Sequence, residues 1–570
     1  MADFVKTYNS FSHGVIAPEF YTRDDINGLS CLENMDVLSG GGLTRRCGLQ
    51  PVATLSGPAR LIPFSVSEGK DFLLALSNGN MVVYQDDKRI YSLTTPWGYG
   101  ALGNLQYAQR FGTMIFVHPD YKPRILSRTD SGFKLREFDF SRNDSDMTAN
   151  IPFMRFDDTD DIKITVSSHS SGNNYATFTA SSNIWSPDYV GTRILLMDKQ
   201  WLITEYLGPT QVVAYTNGTY SIPSSPITQW YEAAFSTHRG WPISITFHQD
   251  RLVFGGSRSH PAGVWLSRVG MHNNFNVGTG LDDEAIFITL LSQNRQQICT
   301  VVSSDNLQIL TTTGEWAISN KPLTPSSVDI KQHTSVGSCS SRYMPPQKIE
   351  GGTIFISGNL CDIRELSLDE LGENYNATDL CAFSKHLMVE PVDMTYTPDV
   401  HRLFVVMSDG TMATLTHNSA QGISAWSVYK TAGQFISVAT LSGRTYTVVC
   451  RDDQYCLEYF SAAALRDGEQ DYSFCATSAP FRASGHNANR VRIRKITARI
   501  LNTKSMCIND TPIALANKYK APDSPGFSGD VSINTLGTNR DGTGVCWTIS
   551  GNQPSPAAIL SITVNGWYSV

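Results

Sequence analysis

"RGWPISITFHQDRLVFGGSRSHP", residues 239–261, is the stretch on which the fold turns. Ile243, Ile245 and Phe247 alternate with Ser244, Thr246 and His248, a period of two that predicts a strand with one set of side chains inward and the other outward. After one polar step the chain resumes with Leu252, Val253 and Phe254, then breaks at Gly255-Gly256 and again at Pro261, which are turn residues. Two short strands and their connections are the result. His248, Asp250 and Arg258 sit close together beside the glycines, so a catalytic His/Asp pair is the competing reading. The alternation favours a strand edge, with His248 and Asp250 on its outward face.

The same pattern recurs outward from this point. "DFLLALSNGNMVVYQ" from Asp71, "RFGTMIFVHPDYKPRIL" from Arg110 and "NLQILTTTGEWAIS" from Asn306 each read as an apolar strand, a polar turn and a second strand. So do "GTIFISGNLCDIRELSL" from Gly352, "RLFVVMSDGTMATLTH" from Arg402 and "RTYTVVCRDDQYCLEYF" from Arg444. Asn78-Gly79 and Asp409-Gly410 are dipeptides that favour tight hairpins. Within the two continuous stretches the starts recur at about 40 to 50 residues, the length of a propeller blade. No WD signature, kelch glycine pair or Asp box recurs, and an array of β-sandwiches remains the alternative on spacing alone. Helical signals are confined to residues 17–38 and the short "SAAALRDG" at 461–468.

The expected organisation is mainly all-β. Residues 1–50 form an N-terminal arm for assembly contacts, 51–150 the first part of a β-propeller, and 151–238 an inserted small β domain. Residues 239–465 complete the propeller, and 466–570 form a C-terminal β-rich domain, rich in Ser, Asn, Thr and Gly. A chain of 570 residues has room for these parts, and 41% hydrophobic with 17% charged residues describes an ordered globular protein. The net charge of -7 gives no support for whole-protein attraction to nucleic acid or anionic membranes. No apolar run suits a signal peptide or a membrane span, so synthesis and retention in a cytosol-like compartment are expected. Eleven cysteines, an odd number scattered from Cys31 to Cys546 without ligand spacing, agree with reduced thiols, Cys450 and Cys456 included.

Motifs of chemistry are scarce. There is no GxSxG elbow, HExxH, phosphate loop or GxGxxG after a strand. Asp282, Asp283 and Glu284 are the tightest carboxylate group, but adjacent positions poorly supply the spaced acid pair of a glycoside hydrolase. "FDDTDD", residues 156–161, lacks the glycine and terminal glutamate of a calcium loop and reads as a solvated acidic turn. "RVRIRKITARI", residues 490–500, sets Arg490, Arg492 and Arg494 on one side of a strand and Val491 and Ile493 on the other, a solvated face or subunit contact. No catalytic, cofactor-binding or metal residue is assigned, and no enzymatic activity is expected.

The run quoted at the start, continued as "AGVWLSRVGMHNNFN" and followed by "DDEAIFITLLSQNRQQI" and "LQILTTTGEWAIS", resembles the nozzle, or tail tubular protein B-like, family of short-tailed phages. "FSHGVIAPEFYTRDDINGLSCLENMDVLSGGGLTRRCG", residues 11–48, is similar to the family's opening signature, a start followed by a Gly-rich, Arg-Arg turn. "GTIFISGNLCDIRELSLDE" and "LFVVMSDGTMATLTHNSAQGISAWSVY" extend the likeness to about residues 10 to 460. His13 stands where the family usually has Gly, and Asp250 where it often has Gln.

The resemblance implies a β-propeller virion protein of podovirus type, made in the host cytoplasm. It would assemble as a homohexameric ring under the adaptor ring at the distal end of the viral tail. Its partners would be its own copies, the adaptor ring, tail fibres or spikes, and genomic DNA passing through the lumen during ejection without sequence reading or membrane insertion. The quoted stretch then becomes scaffold restarting the propeller after the insertion. Gly240 and Gly255-Gly256 would serve turns and close backbone approach, with Trp241 and Phe254 filling the core. A propeller-type glycan-binding or glycan-cleaving phage protein is the alternative.

Overall fold

The computed structural model describes all residues except 1, 22, 24, 68, 144–146, 320, 481–489, 516–524, 536–539, 542–544 and 570. The chain divides into two compact units. The first comprises Met1–Leu102, Met344–Leu368 and Ala377–Val570, the second Gly103–Tyr343 and Asp369–Asn376.

In the second unit, Ser244–His248 and Arg251–Gly255 form an antiparallel hairpin that continues through Gly263–Leu266 and Ile286–Thr289 as one four-stranded sheet. Gln106–Arg110, Thr113–His118, Tyr121–Thr129 and Gly132–Glu137 repeat that order, as do Ile298–Ser303, Leu307–Thr311, Glu315–Ile318 and Ile330–Thr334. Four strands in sequence, each paired with the one before, make the blade of a β-propeller.

Alternation along a blade strand divides side chains between two cores. Leu252 and Phe254 pack with Ile115 and Phe138, while Val253 between them packs with Ile298 and Ile309. This corrects the outward face expected for Ser244 and His248, since both are buried. Ser244 Oγ accepts the Val301 amide at 2.8 Å, and the His248 ring is hydrogen-bonded to Ser303 Oγ at 2.9 Å. Phe254 is fully buried and Trp241 only half-buried at the margin of the same core. Gly255 allows the close approach expected of it, because a Cβ there would lie 2.8 Å from Val301 Cγ1.

The inserted domain of the second unit is a seven-stranded sheet, ordered Phe153–Met154, Trp230–Ala233, Arg193–Leu196, Lys199–Gly208, Gln211–Thr216, Tyr175–Ala180 and Ile164–Ser168. It has its own core around Phe178, Trp185, Trp201 and Trp230.

The first unit holds further blades. Arg60–Ser67, Lys70–Ser77, Asn80–Gln85 and Lys88–Thr94 form one. Pro391–Thr397, Arg402–Met407, Met412–Asn418 and Ile423–Tyr429 form another. Gln434–Leu441, Arg444–Arg451 and Gln454–Ser461 form a third, whose fourth strand is Gly48–Leu55 from the start of the chain. Ser77 pairs with Asn80 around Gly79, and Gly410 has φ +83, so both predicted tight turns are present.

The C-terminal β-rich domain shares its sheets with the 1–50 segment. Ala2–Tyr8 pairs along Ala558–Ser569, Leu43–Arg45 pairs with the same strand, and Gly28–Glu33 pairs with Phe474–Ser478. Leu29, Leu32, Met35 and Val37 lie in one core with Ile496, Trp547, Ile549 and Ile562. The helix expected over 17–38 does not form among the described residues. Its described residues hold a 3-10 turn, Pro18–Phe20, followed by the strands Gly28–Glu33 and Met35–Val37. Residues 461–468 likewise form a strand end and turns instead of a helix.

Candidate functional site

The residues that sequence reading weighed for chemistry are distributed among structural bonds. Asp250 lies in the hairpin turn, with Arg110 at 2.5 Å and His272 at 3.6 Å from its carboxylate, while His248 bonds Ser303; the two do not form a dyad. Arg110 holds the Asp250 carboxyl below the ordinary carboxylate range. Glu284 accepts backbone amides of Thr279, Gly280 and Leu281 at 2.7, 2.7 and 2.9 Å, and these hold its carboxyl low too. Asp283 pairs with Arg268, and the Asp282 carbonyl accepts from Arg251 at 2.8 Å. Each member of the acidic group therefore fixes the loop that carries it.

The acidic turn at 156–161 is tied into a buried ionic knot that alternation could not reveal. Arg239, first residue of the quoted stretch, is buried and donates to Glu232 at 2.6 and 2.8 Å and to Asp158 at 2.8 and 3.0 Å. Its guanidinium also lies 4.0 Å from the centre of the Phe156 ring. Burial pushes the Glu232 carboxyl up, against the opposing pull of Arg239.

On the basic strand, the expected alternation is broken by a bulge between Ile493 and Lys495. Val491 is buried, Arg492 and Ile493 are half-buried, and Arg494 and Lys495 both face solvent. The expected split, with the arginines on one side and Val491 and Ile493 on the other, therefore holds only in part. Arg494 pairs with Asp3 at 3.3 Å, and the Arg490 side chain lies outside the described residues. The family-like "TRRCG" is structural. Arg45 donates to the carbonyls of Gln553, Ser555, Leu465 and Tyr472, and Arg46 forms a fully buried pair with Asp467. Cys450 and Cys456 are half-buried, and the thiols that meet are instead Cys31 and Cys475 on paired strands. No group of three or more metal-ligating side chains occurs among the described residues.

A cleft of about 440 Å³ in the second unit has the character of a binding site. Strand ends and connections of its blades supply Asn104, Arg258, Arg295, Gln297, Arg342 and Tyr343. Arg258 is fixed, donating to the carbonyls of Thr237 and His238 at 2.8 Å each, with Asp120 at 3.4 Å. The side chains of Asn104, Arg295, Gln297 and Arg342 have no hydrogen-bond or ionic partner among the described residues. No Asp or Glu among the described residues lines the cleft, so a chain of net charge -7 here presents two guanidinium groups, Arg295 and Arg342, without a facing carboxylate, beside Arg258, which Asp120 faces from outside the lining. Pro119, Ile243 and Pro261 add apolar wall. Nothing in the spacing of these residues marks them in the sequence.

No family model matches the chain, and no curated protein matches it. Among solved structures it is similar to BamB from Moraxella catarrhalis, at 11% identity and a TM-score of 0.34, over 73% of this chain and 98% of that one. It is also similar to the WD40 repeats of RRP9, at 7% identity and a TM-score of 0.34, over 73% of this chain and 100% of that one. U3-55K follows at 6% identity and a TM-score of 0.32, over 72% of this chain and 98% of that one. The blades are identified here by their own strand order.

Proposed function

We propose that this chain is a structural virion protein, the repeating subunit of a ring-shaped nozzle at the distal end of a short phage tail. The observation that carries this reading is the ordered series of family-like segments over about residues 10 to 460. Where those segments fall in the fold adds support. Arg45 and Arg46 of "TRRCG" pin the first unit, and the quoted stretch supplies a blade hairpin together with the buried Arg239. The likeness therefore runs through residues that specify structure.

In this role the protein forms a ring of six below the adaptor ring, offers surface to fibres or spikes, and extends the channel for the genome. The mechanism is physical. DNA carries about one charge per 1.7 Å of axis, and every phosphate paired with Lys or Arg releases counterions and holds the duplex in place. A conduit must avoid that grip, and a chain of net charge -7 suits a lumen along which DNA slides. A closed ring needs two different surfaces on each subunit, one for each neighbour. Negative-stain microscopy of the purified protein and of virions is the test. Six-fold rings, with antibody label at the tail tip, are expected; a protein that stays monomeric at high concentration and is absent from purified particles would remove the reading.

A further inference from the structure

We infer that the cleft of the second unit binds a short acidic oligosaccharide, its carboxylates on Arg295 and Arg342 and its hydroxyls on Asn104 and Gln297. A cleft of about 440 Å³ falls within the size range of small-molecule sites. Arg295 and Arg342, which have no partner among the described residues, present planar forks of donors and no acceptor. Carboxylates match that fork with two parallel bonds. Arg258, fixed by two backbone carbonyls and paired with Asp120 at 3.4 Å, adds a stationary guanidinium to the wall.

The two amides of the cleft favour a sugar over a bare anion. Asn104 and Gln297 each offer a carbonyl acceptor and an NH2 donor, the pair of functions that a sugar hydroxyl uses at once. Inorganic phosphate would occupy the guanidinium groups and, with few O–H donors left at neutral pH, match the amide acceptors poorly. It would also leave Pro119, Ile243 and Pro261 without a partner, whereas the C–H faces of a pyranose ring can rest on them. Tyr343 supplies an aromatic ring of the same amphipathic kind. Nothing in this assignment depends on a ring or a tail.

Isothermal titration of the full chain with trigalacturonate, its fully methyl-esterified counterpart and inorganic pyrophosphate tests it. Trigalacturonate is expected to bind, and esterification, which keeps the rings and removes the charge, to weaken binding about tenfold or more. Arg295→Gln and Arg342→Gln should each weaken it to a similar extent. Asn104→Ala with Gln297→Ala should weaken the saccharide without changing pyrophosphate. Arg89→Gln, in a different cleft of the first unit, is the control and should change nothing. These side chains carry no internal bond, so an unchanged melting profile is expected for each variant. Absence of saccharide binding, equal binding of the ester, or tight pyrophosphate binding with no response to the amide variants would each overturn the assignment.

Discussion

Removing the positive half of the buried pair between Arg46 and Asp467 should destabilise the first unit more than any surface change. Their side chains are 0% and 1% exposed, and they are joined by two bonds of 2.8 and 2.6 Å. Arg46 also donates to Asn34 Oδ1 at 2.8 Å and to the carbonyls of Cys47 and Lys430, and it stacks over Tyr472 at 3.8 Å. Arg46→Met leaves the Asp467 carboxylate buried and unpaired, which costs about 3–5 kcal/mol. For a unit of about 320 residues, each kcal/mol shifts the midpoint by roughly 1.5 °C, so a fall of about 5–8 °C is expected. Scanning calorimetry reads it as displacement of one of the unfolding transitions. Combining Arg46→Met with Asp467→Leu removes the orphaned charge and should recover half or more of the loss, because a buried pair replaced by apolar groups is often nearly neutral. A single variant melting within about 1 °C of the parent, or a double variant as unstable as the sum of the singles, would refute the account.

Acid should weaken the second unit. Burial lowers the imidazoles of His118, His238 and His260 below their ordinary 6.5, and His272 and His333 move the same way. The unfolded chain then takes up protons first, so stability is complete above pH 6.5 and is lost as pH falls through the lower folded values. Urea midpoints measured from pH 7.5 to 5 should fall; a flat profile contradicts this. At Cys475, a hydrogen bond from the Cys31 thiol favours the thiolate and holds its ionisation below the ordinary thiol range. Its alkylation should therefore shift to higher pH in Cys31→Ala, and no movement would dissociate the two thiols. Deleting residues 1–38 strips Leu29, Leu32, Met35 and Val37 from the core and leaves Ala558–Ser569 without one of its neighbours. Hydrogen exchange should show protection lost over the C-terminal β-rich domain, and full protection there would show the segment to be dispensable for folding.

The blades were legible because each hairpin carries a polar turn between two apolar strands. What alternation could not show is that both faces are buried. Leu252 and Val253 point to different cores, so His248 and Ser244 become interior residues despite their polarity. The false helix at 17–38 has a definite cause. Leu29, Leu32 and Met35 are spaced by three, as on a helix: an irregularity between Leu29 and Cys31 shifts the alternation once, and Asn34, at φ +54, breaks it again before Met35 opens the next strand. Three of the tight turns use no glycine: Asp86-Asp87, Gln249-Asp250 and Asp452-Asp453 all hold positive φ, which Asp tolerates better than most residues. The last two are legible as polar steps between apolar strands, whereas Asp86-Asp87 lies beyond the hairpin that the sequence marks. The cleft was invisible, since Asn104, Arg258, Arg295, Gln297 and Arg342 come from separate connections with no spacing of their own.

The strand Gly48–Leu55, made early, has its place beside Gln454–Ser461, made some 400 residues later. Ala2–Tyr8 waits longer still, for Ala558–Ser569. At about 5–20 residues per second, the ribosome leaves these early edges unpaired for at least roughly 20 seconds. Such distant pairing makes folding slow, and open strand edges invite association with other nascent chains. Expression yield should therefore respond to growth temperature and chaperone supply more steeply than the stability of the finished protein would suggest.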